Sequence, residues 1–228
     1  MRQSFTGIDK LIVATQHTIS ILAHHKRTNY HQVSLPSSSS NIVEESSGNT
    51  SLSSQSKNGR NHHSQSIRCM RVNYAGEIAA QGLYLGAWIV ETDPQLSGFY
   101  QHAMEEEYEH LEWCGKCVAD LGGQVSLFNP VWFMGSVCLG VVSRTLGSGW
   151  ALGFVEETEK QVLSHLESHL KLLPVGDTQS RQVVCQMIQD EQSHGEEAMA
   201  LGAHPLPKWV GVVMKVMGRI LTRTSARI

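Results

Sequence analysis

At 228 residues, the chain is long enough for one domain with a substantial core. A formal net charge of −3 excludes a surface that grips nucleic acid by charge alone. Five cysteines, an odd number without framework spacing, argue against a disulfide-built module and for free thiols in a reducing compartment.

The start of the chain lacks the succession of basic, apolar and small residues that a secretory signal needs. Its Ser and His content, with Arg2, Lys10, Lys26 and Arg27, excludes a transit peptide less clearly, and Asp9 counts against one. The first predicted element is a helix over residues 8–22, where apolar residues recur at helical spacing. Residues 34–66 are dominated by Ser, Asn, Gln and Gly. Such a stretch buries too little surface to offset its ordering entropy and reads as a disordered linker or long loop. The expected division is therefore 1–66, an N-terminal helix plus Ser-rich linker, and 67–228, the structured domain.

From Ile67 onward no alternating strand pattern occurs, so the domain reads as all-α. Asp93-Pro94 ends one helix and starts the next, and Gly122-Gly123 ends that second helix. Asn129-Pro130 opens an apolar stretch, Pro174 to Asp177 separates two further helices, and Pro205 and Pro207 precede a last one. The stretch from Leu121 to Ser143 holds no charged residue and approaches the length of a membrane span. Its glycines, together with Asn129 and Pro130, favour a crossover that is partly core and partly interfacial. The final helix combines Trp209, Val212, Val213, Val216, Met217 and Ile220 with Lys208, Lys215, Arg219, Arg223 and Arg227. That pattern suits an anionic membrane surface or packing on the bundle.

One pattern occurs twice. Glu77 is followed thirty residues later by Glu107-Tyr-Glu-His110, and Glu156 is followed thirty-five residues later by Glu191-Gln-Ser-His194. Each copy is a lone Glu, a helical arm, a turn signal, a second arm and an E-x-x-H element. Short turns make the two arms antiparallel neighbours, so Glu77 ends at a depth similar to Glu107. Positions i and i+3 share a helical face, so one helix offers an oxygen and a nitrogen to the same ion. Two such hairpins supply four carboxylates and two imidazoles, the donor set of a carboxylate-bridged di-iron centre in a four-helix bundle. Four buried carboxylates without metal would repel one another and hold protons. Spacing alone does not choose between Glu156 and Glu157.

Other signals point to structure. Cys114-Gly-Lys-Cys117 has thiol-redox spacing but shares a helical run with His110, with no strand before it. His165 and His169 are expected at a surface or helix cap, and Trp88, Trp113 and Trp150 in the core or a pocket wall. Glu105, Glu106, Glu109 and Glu112 point around their helix and are expected to be mostly solvated. Glu106 and Asp190 each precede a motif Glu and are candidates to accept imidazole N–H groups.

The segments Arg71-Val-Asn-Tyr-Ala-Gly-Glu77, Glu106-Glu107-Tyr-Glu-His110, Gly153-Phe-Val-Glu156-Glu157-Thr158 and Asp190-Glu191-Gln-Ser-His194 resemble the demethoxyubiquinone hydroxylases of ubiquinone biosynthesis. The resemblance runs in order over about residues 67–228 and is similar to the bacterial branch, as is Ile8-Asp9-Lys10-Leu11. It implies a ferritin-like four-helix bundle, with the apolar crossover and amphipathic C-terminal helix added. It implies two iron ions held by Glu77, Glu107, His110, Glu156, Glu191 and His194, and Glu156 is chosen over Glu157 by this likeness. The implied reaction is O2-dependent hydroxylation of a polyprenyl benzoquinol ring. The reductant would be NADH, a reductase or the quinol itself, because no nicotinamide or flavin fingerprint is present. A peripheral position on the cytoplasmic side of a bacterial cell membrane follows, or on the matrix side of the mitochondrial inner membrane. Other proteins of ubiquinone biosynthesis are expected as partners, and nucleic acid is not. A ferritin- or rubrerythrin-like iron-handling protein is the competing reading.

Overall fold

A computed structural model describes residues 7–24, 30, 33–36 and 52–227, with the side chains of Gly7, His24 and 52–60 left aside. Arg2, Lys26, Arg27 and residues 37–51 of the Ser-rich stretch lie outside the described residues. Within them are seven helices and no strand: α1 (Gly7–His24), α2 (Leu52–Val90), α3 (Pro94–Asp120), α4 (Asn129–Thr145), α5 (Ser148–Leu172), α6 (Thr178–Ala200) and α7 (Lys208–Ser225).

Helices α2 and α3 form one hairpin, and α5 and α6 form the other. The first turn is fixed by Asp93, whose Oδ1 accepts from the Gln95 and Leu96 backbone N–H groups while Pro94 occupies the first helical turn. Asp177 caps α6 in the same way through Ser180 N–H. Between the hairpins, α4 crosses α2 at backbone contact distance. A Cβ at Gly86 would collide with the Val137 carbonyl, and one at Gly140 with the Leu83 carbonyl. The interior is filled by Tyr74, Tyr84, Trp88, Tyr100, Leu111 and Phe133, all fully buried.

Two parts of the expected linker are ordered. The helix α2 begins at Leu52, inside that stretch, although His62 and His63 are exposed and, from residue 61 onward, the first buried side chain is Ser66. Composition speaks to burial, but a helix nucleated in the core extends outward at little cost per residue. Upstream, the Ser34 carbonyl accepts from Trp113 Nε1 at 3.1 Å, and the Pro36 carbonyl accepts from Gln182 Nε2. Tyr30 is buried against Gly115, where any side chain would strike its ring.

No helix among the described residues is long and apolar enough to cross a membrane. Phe133 and Gly140 of α4 face the bundle, whereas Val131, Met134 and Val142 are 62%, 49% and 54% exposed. On α7 only Val210 and Ser225 are buried. The six apolar residues of its expected face are all exposed, Trp209 most of all.

Candidate metal centre

Residues of the four bundle helices converge on two clusters that share an edge. Glu77, Glu107, His110 and Glu191 form one; Glu107, Glu159, Glu191 and His194 form the other. Within each cluster the nearest ligand-type atoms lie within 4.8 Å of one another, and every member is buried. Glu107 and Glu191 belong to both. Each cluster thus has one shared pair, one carboxylate of its own and one imidazole of its own.

Five of the six residues expected at the centre are here: Glu77, Glu107, His110, Glu191 and His194. Glu156 is not. It is half-buried outside both clusters, and Glu159, only 2% exposed, takes that place. Three residues move a side chain about 4.5 Å along a helix, which carries Glu159 to the depth of Glu191 and leaves Glu156 nearly one turn away. The sequence held a signal for this. Glu159 precedes Glu191 by thirty-two residues, closer to the thirty of the first pair than the thirty-five from Glu156. Glu157 faces elsewhere, accepting from Gln161 Nε2 at 2.6 Å beside Gly211 of α7.

The imidazoles are oriented reciprocally across the bundle. His110 of α3 donates from Nε2 to Asp190 Oδ2 of α6 at 3.1 Å. His194 of α6 donates from Nε2 to Glu106 Oε2 of α3 at 2.8 Å. Each helix therefore lends the residue before its motif Glu to the other helix's imidazole. With Nε2 carrying that proton, Nδ1 is turned inward. His110 Nδ1 lies 3.4 Å from Glu107 and 3.5 Å from Glu191, and His194 Nδ1 lies 3.4 and 3.3 Å from the same two residues. Tyr84 had no sequence signal. Its buried hydroxyl donates to Glu159 Oε1 at 2.7 Å.

Electrostatics describe a site that asks for cations. Burial first, and the neighbouring Glu107 second, hold the Glu77 carboxyl far above the ordinary carboxylate range. Burial and Glu191 do the same to Glu159. Burial opposes charge on His194, yet its contacts with Glu107 and Glu191 outweigh that and push it up to about 12. His110 is raised in the same sense by Asp190, Glu107 and Glu191 against its burial. Glu107 is driven down, because His110 and His194 both offer it hydrogen bonds that exceed its burial cost. Protons thus stand where ions would. Both Glu107 oxygens and His110 Nδ1 are fully buried without a hydrogen bond of good geometry, a costly condition in a core that coordination would relieve. The oxygen and nitrogen donors suit a divalent transition metal, and the residues fit a two-ion centre.

The family model described as "Ubiquinone biosynthesis protein COQ7" matches residues 64–225. The 3-demethoxyubiquinol 3-hydroxylases of Francisella tularensis subsp. novicida (strain U112) and subsp. tularensis (strain SCHU S4 / Schu 4) are each 46% identical to the chain over 158 residues. That overlap covers 69% of this chain and 75% of each relative. The matched span contains every residue of both clusters, and the chain belongs to the ubiquinone biosynthesis protein COQ7 family.

Proposed function

We propose that the chain is a 3-demethoxyubiquinol 3-hydroxylase, a monooxygenase that adds a hydroxyl to the ring of a polyprenyl methoxy-methyl-benzoquinol with O2, and that its two clusters hold a pair of iron ions. The observation that carries this is the meeting of four carboxylates and two imidazoles in one buried place, in a chain 46% identical to relatives of that name. The iron pair, when bound, supplies the redox chemistry that O2 requires. Glu107 and Glu191, common to both clusters, would serve both ions. Glu77 with His110 and Glu159 with His194 would complete the two ends.

The remaining work belongs to the chain's own atoms. Asp190 and Glu106 keep each imidazole proton on Nε2, which leaves Nδ1 free to bind. The Tyr84 hydroxyl engages one Glu159 oxygen and leaves the other available. Near-complete burial keeps water away. Two electrons per turnover must come from outside, from NADH, a reductase or the quinol. The apolar faces of α4 and α7 support a peripheral seat on a bilayer, on the cytoplasmic side of a cell membrane, where a polyprenyl quinol resides. A soluble iron-storage cage has no use for such faces.

The test is anaerobic loading of the full chain with ferrous ions, metal analysis, and mass spectrometry of the quinol after O2 and reductant are added. Two irons per chain and one oxygen gained on the ring are expected. Bound iron without a hydroxylated ring would sink the enzymatic reading, and absence of iron would sink the metal assignment.

A further inference from the structure

Trp113 lies one turn beyond His110 on α3, and its indole ring rests against the His110 imidazole with centroids 5.2 Å apart at a tilt of 42°. The same indole is partly exposed, and its Nε1–H is held by the Ser34 carbonyl at 3.1 Å. One side of this ring therefore touches the metal centre and another reaches solvent. Three other oxidisable groups beside the centre, Cys114, Met187 and Tyr84, have no such outlet. Cys114 Sγ donates to Met187 Sδ at 3.7 Å, and both side chains are 0% exposed. Cys114 is one turn past His110, and Met187 one turn before Glu191. Tyr84, hydrogen-bonded to Glu159, is also fully buried. Oxidation of either sulfur would put a polar group into the core.

We propose that Trp113 is the outlet through which the centre discharges oxidising equivalents when O2 is consumed without quinol, the reductant being a solvent thiol. The proposal rests on the redox-metal reading above. Reduction of O2 to two waters takes four electrons and four protons. Two electrons are those stored in the ferrous pair. The other two leave the Trp113 indole in successive single-electron steps through His110. After each step the ring is a cation radical. The Ser34 carbonyl holds its N–H proton but is too weak a base to remove it, so the ring stays strongly oxidising. A thiol at the exposed edge returns one electron and releases one proton, and two such thiols join as a disulfide. The remaining two protons come from water. The buried Cys114–Met187 pair is spared because the hole reaches solvent first.

The experiment uses the full chain loaded anaerobically with ferrous ions, its metal content measured in the native protein and in Trp113→Phe. Each is exposed to O2 with catalase present and quinol absent, then digested and mapped by mass spectrometry. Oxygen additions are expected at Trp113 in the native protein, reduced several-fold by millimolar thiol and absent when no metal is loaded. Trp113→Phe keeps a ring of similar shape but one far harder to oxidise. With its iron unchanged, its damage should move to Met187, Cys114 or Tyr84, and Trp113→Tyr should draw damage back to position 113. An unmodified Trp113 beside oxidised Met187 or Cys114 in iron-loaded native protein overturns the proposal and leaves the metal reading standing. Failure to bind iron at all overturns both and is seen at the first step.

Discussion

His169 is an imidazole that its surroundings keep neutral. It is 5% exposed, and its Nδ1–H donates to Asn73 Oδ1 of α2 at 2.6 Å. Burial, with the His165 ring centred 4.0 Å away, drops its pKa to about 3. An unfolded His titrates near 6.5. The folded value is the lower one, so the unfolded chain binds the extra proton between those limits. The stabilisation is complete above about pH 6.5 and is lost as pH falls toward 3, by at most about 1.4 kcal/mol per unit. Urea titrations of metal-free protein at pH 7 and pH 5 should therefore show His169→Gln losing roughly 1–2 kcal/mol less than the native chain over that interval. Equal losses in the two would mean His169 is not the sensor. The sequence signal, two His four apart, read as a surface feature because nothing local reveals that Asn73, ninety-six residues away, closes over one of them. The fourth carboxylate was obscured in a similar way. The chain has Glu at 156, 157 and 159, and one helical turn of slack lies within what turn positions can resolve. Only the packed bundle selects the third. Substituting Glu159→Gln should reduce bound iron and abolish hydroxylation, while Glu156→Gln leaves iron content unchanged by metal analysis. The reverse pattern would restore the family-based choice.

Element by element, the hairpins were legible because Pro94, Pro174 and the two capping aspartates punctuate the chain where backbone geometry requires them. The docking of α4 onto the end of α2 was not, since it depends on one carboxylate with a long-range partner, and neither was that of α1, whose Lys10 reaches backbone carbonyls at the same end. Glu91 follows the last residue of α2 with its side chain buried. It accepts from Arg144 Nε and Nη2 of α4 at 2.6 and 2.7 Å, and from the Thr92 and Asp93 backbone N–H groups at 2.7 and 2.9 Å. Lys10 of α1 donates to the Trp88 and Glu91 carbonyls at 2.7 and 2.5 Å and sits 4.9 Å from the Trp88 ring centre. Burial works against the Glu91 charge, but the Arg144 fork and the two backbone donors outweigh it and hold the carboxyl below its ordinary value. A depressed carboxylate stabilises fully above its unfolded value, about 4.3, and that contribution fades as pH falls through the lower folded value. Glu91→Gln should cost roughly 3 kcal/mol at pH 7, as expected when one partner of a buried pair is removed. Chemical denaturation at pH 7 and pH 3 tests it. The difference between variant and native should shrink at the lower pH, and a constant difference would mean that packing rather than charge holds the junction.

For the whole molecule, the bundle interior concentrates negative charge, while apolar surface lies on α4 and α7. The amphipathic pattern of α7 was legible as a pattern, but which way it faced was not, because packing on the bundle and packing on a bilayer demand the same periodicity. Its apolar face is left largely exposed. Among the described residues nothing buries these apolar side chains, and Lys208, Lys215, Arg219 and Arg223 are exposed along the same helix. If this surface meets a membrane, two terms add. Val216 and Met217 are 45% and 49% exposed, and burying each in the headgroup–acyl boundary contributes about 1 kcal/mol. The basic residues contribute only where the surface is anionic, and salt screens them. Vesicle flotation should then recover the native chain with anionic liposomes, and more weakly with neutral ones or in molar salt. Replacing Val216 and Met217 together with Asn should lower the partition by roughly 30-fold, the equivalent of about 2 kcal/mol. Reversing Lys215 and Arg219 to Glu should abolish the preference for anionic lipid without changing neutral-vesicle binding. A native chain that never floats with anionic vesicles would remove α7 as a membrane contact.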